Sequence, residues 1–86
     1  MPEPRGRHFP CPCCRFLTLD EAPPGTFDIC PVCFWEDDGV QLSDPRYEGG
    51  ANGVSLEEAR ENYRRFGACE ERVLPYVRPP ADGEQP

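Results

Sequence analysis

Cys11-Pro12-Cys13-Cys14 and, after fifteen intervening residues, Cys30-Pro31-Val32-Cys33 are the stretches whose reading decides the fold. Two thiolates at i and i+3 grip one ion, and the tight turn between them aims backbone N–H groups at the first sulfur. Proline at i+1 pre-sets that turn through its fixed φ, and Pro12 and Pro31 both occupy this slot. Two such knuckles predict a tetrahedral ligand set of Cys11, Cys14, Cys30 and Cys33. Cys13 could in principle join the first pair, but the i, i+3 register matches the second knuckle and leaves Cys13 where Val32 stands.

An 86-residue chain allows one domain, and a core of that size rarely supplies more than ~3–5 kcal/mol without a disulfide or a metal. A structural zinc contributes on the order of 10–16 kcal/mol in zinc-finger peptides, so folding and metallation are expected to be coupled. Residues 1–7 contain no apolar stretch resembling a secretory h-region, and no segment nears the roughly 20 apolar residues of a membrane span. These observations point to a cytoplasmic protein, where reduced cysteines favour metal binding over disulfides. Zinc suits a closed four-sulfur site, with iron as the alternative. One ion is expected.

Twelve prolines and eight glycines punctuate the chain. Stretches 1–7 and 79–86 are proline-rich and poor in large apolar groups, which predicts mobile tails around a domain spanning 8–78. Arg15–Leu19 and Thr26–Ile29 read as strand-like knuckle flanks, with Ala22-Pro23-Pro24-Gly25 as a turn. Gly39–Gly53 carries Asp44-Pro45, Gly49-Gly50 and Asn52-Gly53 and reads as an irregular loop. Ser55 followed by Glu58 is a capping-box pattern, and it opens a helix over about 56–66 that stops at Gly67. Leu56, Ala59, Tyr63 and Phe66 share one face of that helix, with acidic residues early and arginines late. Val73–Val77 reads as a short extended segment. The expected fold is therefore a small metal-stabilised α+β domain, a zinc-ribbon-like pair of knuckle hairpins with one C-terminal helix.

Among the remaining chemistry-bearing residues, Cys13 reads as a half-exposed turn residue and Cys69 as a buried small hydrophobe. His8, three residues before Cys11, is a substitute ligand at most. Phe34 and Trp35 are expected to lie over the metal site, with the indole N–H needing a partner. Glu36-Asp37-Asp38 reads as a solvated acidic turn, since no histidine or basic residue adjoins it to make a catalytic set.

Cys11-Pro12-Cys13-Cys14, Ile29-Cys30-Pro31-Val32-Cys33-Phe34-Trp35-Glu36-Asp37-Asp38 and Gly49-Gly50-Ala51-Asn52-Gly53-Val54-Ser55-Leu56 together resemble the bacterial cysteine-rich CPCC family, over about residues 8–78. The resemblance implies a small domain that binds metal through paired cysteines and implies little about activity. Arg15 and Phe34 depart from the wider zinc-knuckle pattern, in which glycine often follows the second cysteine.

The net charge of −7, with sixteen acidic residues against nine arginines, opposes binding to nucleic acid and fits a cationic protein partner. The leading expectation is a non-enzymatic binding module with no membrane association and an undetermined oligomeric state. A thiol oxidoreductase would need a CxxC cysteine activated by a helix N-terminus or by cations, whereas strand-like and acidic residues follow these pairs. A metal-dependent hydrolase would need an open coordination position, with His8 or Asp37 taking part.

Overall fold

The computed structural model describes residues 8–86, so the expected mobile stretch 1–7 lies outside the described residues. The knuckle sequences set the local structure first. In each, the backbone folds back tightly enough for the N–H of the residue after the second cysteine to reach the carbonyl of the first. Arg15 N–H donates to Cys11 O at 2.8 Å and Phe34 N–H to Cys30 O at 2.7 Å. Each turn then closes with a second bond of the same kind, Cys11 N–H to Phe16 O and Cys30 N–H to Trp35 O.

This closure requires a left-handed residue after each second cysteine, and Arg15 (φ 73°) and Phe34 (φ 71°) both adopt that conformation. Such a backbone costs a residue with a Cβ roughly 1–2 kcal/mol, which explains why glycine suits the position. Here the cost is offset by packing and hydrogen bonding, since Phe34 lies against Tyr76 at a ring-centroid distance of 5.5 Å.

Beyond the turns, the two halves continue to correspond at an offset of nineteen residues. In the first, β1 (Phe9–Pro10) pairs antiparallel with β2 (Leu17–Leu19), Pro10 facing Leu17. In the second, the bridge between Ile29 and Glu36 occupies the same place. The expected strand at Thr26–Ile29 is reduced to this bridge and its neighbouring bonds, Phe27 N–H to Asp37 O and Asp37 N–H to Asp28 O. Phe27 at φ 63° interrupts regular pleating there.

The segment expected to be an irregular loop contains a helix, α1 (Gly39–Ser43), capped by Asp38, whose carboxylate accepts from Val40 N–H and Gln41 N–H. Gln41 is fully buried and organises the chain between α1 and residue 54. Its amide donates to Tyr47 O and Val54 O, while its carbonyl accepts from Asn52 N–H and Asn52 Nδ2. Asn52 in turn pairs with both backbone groups of Glu36. A buried polar side chain with its donors and acceptors satisfied thus replaces the apolar core that this proline- and glycine-rich segment cannot supply.

α2 (Leu56–Phe66) forms over the residues that its capping signals predict. Ser55 Oγ accepts from Glu58 N–H, and Gly67 closes the helix in the left-handed conformation (φ 88°). Leu56 and Ala59 are buried on its inner face, and Tyr63 meets Phe16 edge to face. Acidic side chains occupy the first turn and arginines the last. Arg60 instead reaches across to the first knuckle.

After α2, residues Glu71–Tyr76 form a 3-10 helix rather than an extended segment. Local bonds such as Val73 N–H to Glu70 O hold it, and Val73 turns into the core. The stretch 79–86, expected to be mobile, carries a further 3-10 turn at Asp82–Glu84 in contact with β2. Its anchor is a two-point Arg78–Glu84 ion pair, reinforced by Ala81 N–H donating to Glu84. Together these elements make a small α+β unit with a two-stranded antiparallel sheet.

Replacing Gln41 with leucine leaves the Tyr47 and Val54 carbonyls and the Asn52 backbone N–H without their partner and removes one of the two bonds of Asn52 Nδ2, each unpaired group costing about 1–3 kcal/mol. Gln41→Leu is expected to destabilise the protein by about 3 kcal/mol or more. Ser55→Ala, which removes one cap bond, should cost about 1 kcal/mol. Urea denaturation at fixed metal concentration compares the two.

Candidate metal centre

The four knuckle cysteines converge on one point. Their sulfurs all lie within 4.8 Å of one another, with Cys11 Sγ 3.6 Å from Cys33 Sγ and Cys14 Sγ 3.7 Å from Cys30 Sγ. A tetrahedron with metal–sulfur bonds of about 2.3 Å has edges of roughly 3.8 Å. The sulfurs are therefore spaced as a single ion requires, and each close pair joins one knuckle to the other. All four are free thiols. Cys11, Cys30 and Cys33 are fully buried, and Cys14 lies at the edge with 8% exposure.

The turns supply the outer hydrogen bonds. Cys13 N–H points at Cys11 Sγ and Val32 N–H at Cys30 Sγ, both at 3.4 Å. The Thr18 hydroxyl adds a further donor to Cys30 Sγ at 2.9 Å. Within the group, Cys30 is driven toward the thiolate by hydrogen bonds, chiefly from Cys11, then from Cys14 and Cys33, with Thr18 contributing. Cys14 and Cys33 are pushed the other way, again chiefly through Cys11; for Cys33 the next contribution is Cys13. Four sulfurs in one buried pocket cannot all ionise without a cation.

The rest of the chain fastens the knuckles from outside. Pro12 O accepts from Arg60 Nε at 2.9 Å, which ties the first turn to α2. Pro31 O accepts from Arg78 N–H at 3.2 Å, which ties the second turn to the C-terminal stretch. Cys69 N–H bonds Cys33 O, and Asn62 Nδ2 bonds Cys69 O, so the segment after α2 is tied to both.

Cys13 and the acidic turn occupy different places from those their sequence context suggests. Cys13 is buried rather than half-exposed, because the first turn lies beneath α2 with its i+2 residue facing inward, as Val32 does in the second. Cys69 is buried as expected, and burial raises its thiol pKa to about 12. His8 lies outside the four-sulfur group; its ring faces Asp20 at 3.9 Å on the surface. The acidic turn is largely internal. Asp37 is fully buried and accepts from Thr26 N–H and Oγ, while Asp38 caps α1 and accepts from Ala51 N–H, which holds its carboxyl below the ordinary range. Trp35 is buried in the core, yet its indole N–H, expected to need a partner, finds none among the described residues. The Asp37 Oδ1 atom likewise has none.

Fold and site together define a small α+β domain built around a four-cysteine cluster positioned for a metal ion. The chain matches the family described as cysteine-rich CPCC over residues 9–84, and it belongs to that family. No curated protein matches it. The match extends beyond both knuckles and α2 to include Arg78 and Glu84, the pair that closes the C-terminal stretch.

Two functional contributions escape a reading of the sequence. Thr18 stands among strand residues, and Arg60 among the arginines that complement the helix dipole. The repeat offset offers a partial signal, since Phe16 and Trp35 stand at the same distance from their knuckles. Nothing in that signal marks a hydroxyl that crosses to the other half.

The raised Cys69 pKa keeps this residue a protonated, buried thiol at neutral pH. Iodoacetamide at pH 8 is expected to leave Cys69 unmodified in the folded protein and to label it in denaturant. Peptide mapping reads the difference; rapid labelling in the folded state would contradict the burial.

Proposed function

We propose that this protein is a structural zinc module, with one Zn2+ held by Cys11, Cys14, Cys30 and Cys33, and that the folded module serves as a binding partner for a cationic protein surface. The observation that carries the metal reading is the tetrahedral spacing of four buried sulfurs drawn from two matching turns. Four thiolates would fill the coordination sphere of zinc and leave no position for a water or substrate. The ion would supply charge neutralisation and cross-linking, holding together two hairpins that share little other core. Among the described residues, six of the thirteen buried apolar side chains are cysteines, so little hydrocarbon remains to do so.

This arrangement favours a non-catalytic role. Neither CxxC pair opens onto the N-terminus of a helix: each is followed by a left-handed residue and a hairpin strand or bridge. The thiolate-activating geometry of an oxidoreductase is thus missing among the described residues. A hydrolytic site would need His8 or Asp37 at the metal, and neither belongs to the sulfur cluster. Iron would fit the same four sulfurs, and metal analysis of protein isolated without added metal distinguishes the two ions.

The partner reading rests on the charge of −7, which four thiolates and one divalent ion would make more negative by two. No described helix is long and apolar enough to cross a membrane. An acidic surface attracts basic protein surfaces in a salt-dependent way and repels the phosphate backbone of nucleic acid.

Native mass spectrometry with metal analysis tests the ligand set. One zinc per chain is expected, with occupancy reduced in each of the Cys11→Ser, Cys14→Ser, Cys30→Ser and Cys33→Ser variants and retained in Cys13→Ser and Cys69→Ser. Full, wild-type-like occupancy in any of the first four would remove that residue from the set. For the partner reading, fluorescence anisotropy at about 0.15 M salt should show no binding to duplex DNA. Immobilised protein should retain basic proteins that elute as salt rises, and salt-independent capture alone would count against the electrostatic account.

A further inference from the structure

The two halves of the metal centre correspond turn for turn, but they part company at one residue. Pro10 faces Leu17 as Ile29 faces Glu36, and nineteen residues separate the members of each equivalent pair. On this offset Thr18 corresponds to Asp37. Asp37 faces two residues of the opposite segment, its N–H donating to Asp28 O and its O accepting from Phe27 N–H, so the irregularity there falls on the facing side at Phe27. In the first half it falls on Thr18 itself. Phe9 pairs with Leu19 and Pro10 with Leu17, which leaves Thr18 as an extra residue in the β2 strand, its N–H turned back to Phe16 O. A bulge of this kind re-aims a side chain. Here the side chain is almost fully buried, and its hydroxyl lies 2.9 Å from Cys30 Sγ in the opposite knuckle.

We propose that Thr18 is a positioning residue for the metal centre, delivered by the bulge to hydrogen-bond the Cys30 sulfur and make the four ligands inequivalent. The proposal rests on the metal-centre reading above and adds to it a defined asymmetry. Cys11 Sγ receives one backbone donor, from Cys13, whereas Cys30 Sγ receives the matching donor from Val32 and the Thr18 hydroxyl as well. A buried thiolate cluster around one divalent ion carries excess negative charge, and a hydroxyl directed at one sulfur stabilises that charge and fixes the ligand's orientation. The same bond draws electron density from Cys30, lowering its donation to the metal. Pro10 fits this arrangement, because it has no N–H to lose where the ladder is broken.

Cobalt(II) is the probe for the test, since its thiolate-to-metal charge-transfer bands report the electron density on sulfur. Thr18→Val keeps the volume and branching while removing the hydroxyl; Thr18→Ser keeps the hydroxyl. Thr18→Val is expected to bind cobalt and zinc roughly tenfold or more weakly and to move the charge-transfer envelope to lower energy. Thr18→Ser should restore both properties toward wild type. Affinity and spectrum unchanged in Thr18→Val would overturn the proposal, as would a Thr18→Ser protein that behaves like Thr18→Val. A measurement on wild type needs no folded variant: in 113Cd-loaded protein the Thr18 hydroxyl proton should exchange slowly and correlate with the metal through the sulfur. A freely exchanging hydroxyl without that correlation would also overturn it. Wild-type protein that binds neither cobalt nor cadmium would instead bring down the metal-centre reading itself.

Discussion

Everything else in the structure depends on bringing four cysteine sulfurs from two tight turns to within bonding distance of one point. The requirement is severe, because each turn must reverse in four residues and place its next residue in a left-handed conformation. Arg15 and Phe34 accept that conformation without being glycine, and the backbone bonds to Cys11 O and Cys30 O hold them there. Once the turns exist, the sulfurs of one lie opposite those of the other. The same pocket crowds four sulfurs that cannot all ionise together, an opposition that a bound cation would turn into a cross-link.

The rest of the chain supports that centre rather than competing with it. α2 reaches the first turn through Arg60, and the C-terminal stretch reaches the second through the Arg78 backbone. Gln41 and Asn52 hold the segment between the second knuckle and α2 by hydrogen bonds in place of hydrocarbon. Asp37 and Asp38, which read as surface charge in the sequence, are internal acceptors for backbone donors. The acidity of this protein is therefore partly architectural. Its inward-facing share closes loops.

Local signals are legible in the sequence where local physics determines the outcome. Matching prolines identify the two turns and their i, i+3 register, and Ser55 with Gly67 marks both ends of α2 because a cap acts within three or four residues. The segment Gly39–Gly53 reads as loop because its glycines and prolines are turn signals, whereas its helix depends on Asp38 as a cap and on Gln41 meeting partners up to thirteen residues away. Val73–Val77 has strand-like composition, but among the described residues no neighbouring strand pairs with it, and it coils into a 3-10 helix with Pro75 inside. The 3-10 turn at Asp82–Glu84 is closed by Glu84 pairing with Arg78, a partnership that composition cannot reveal. Thr18 is illegible for the same reason: a bulge and a cross-knuckle contact are properties of paired strands.

X-ray absorption at the zinc edge, on protein purified with its own metal and without added zinc, addresses the central claim most directly. The account predicts a first shell of four sulfur atoms at about 2.3 Å and no lighter scatterer. A nitrogen or oxygen in that shell, or fewer than four sulfurs, would contradict it.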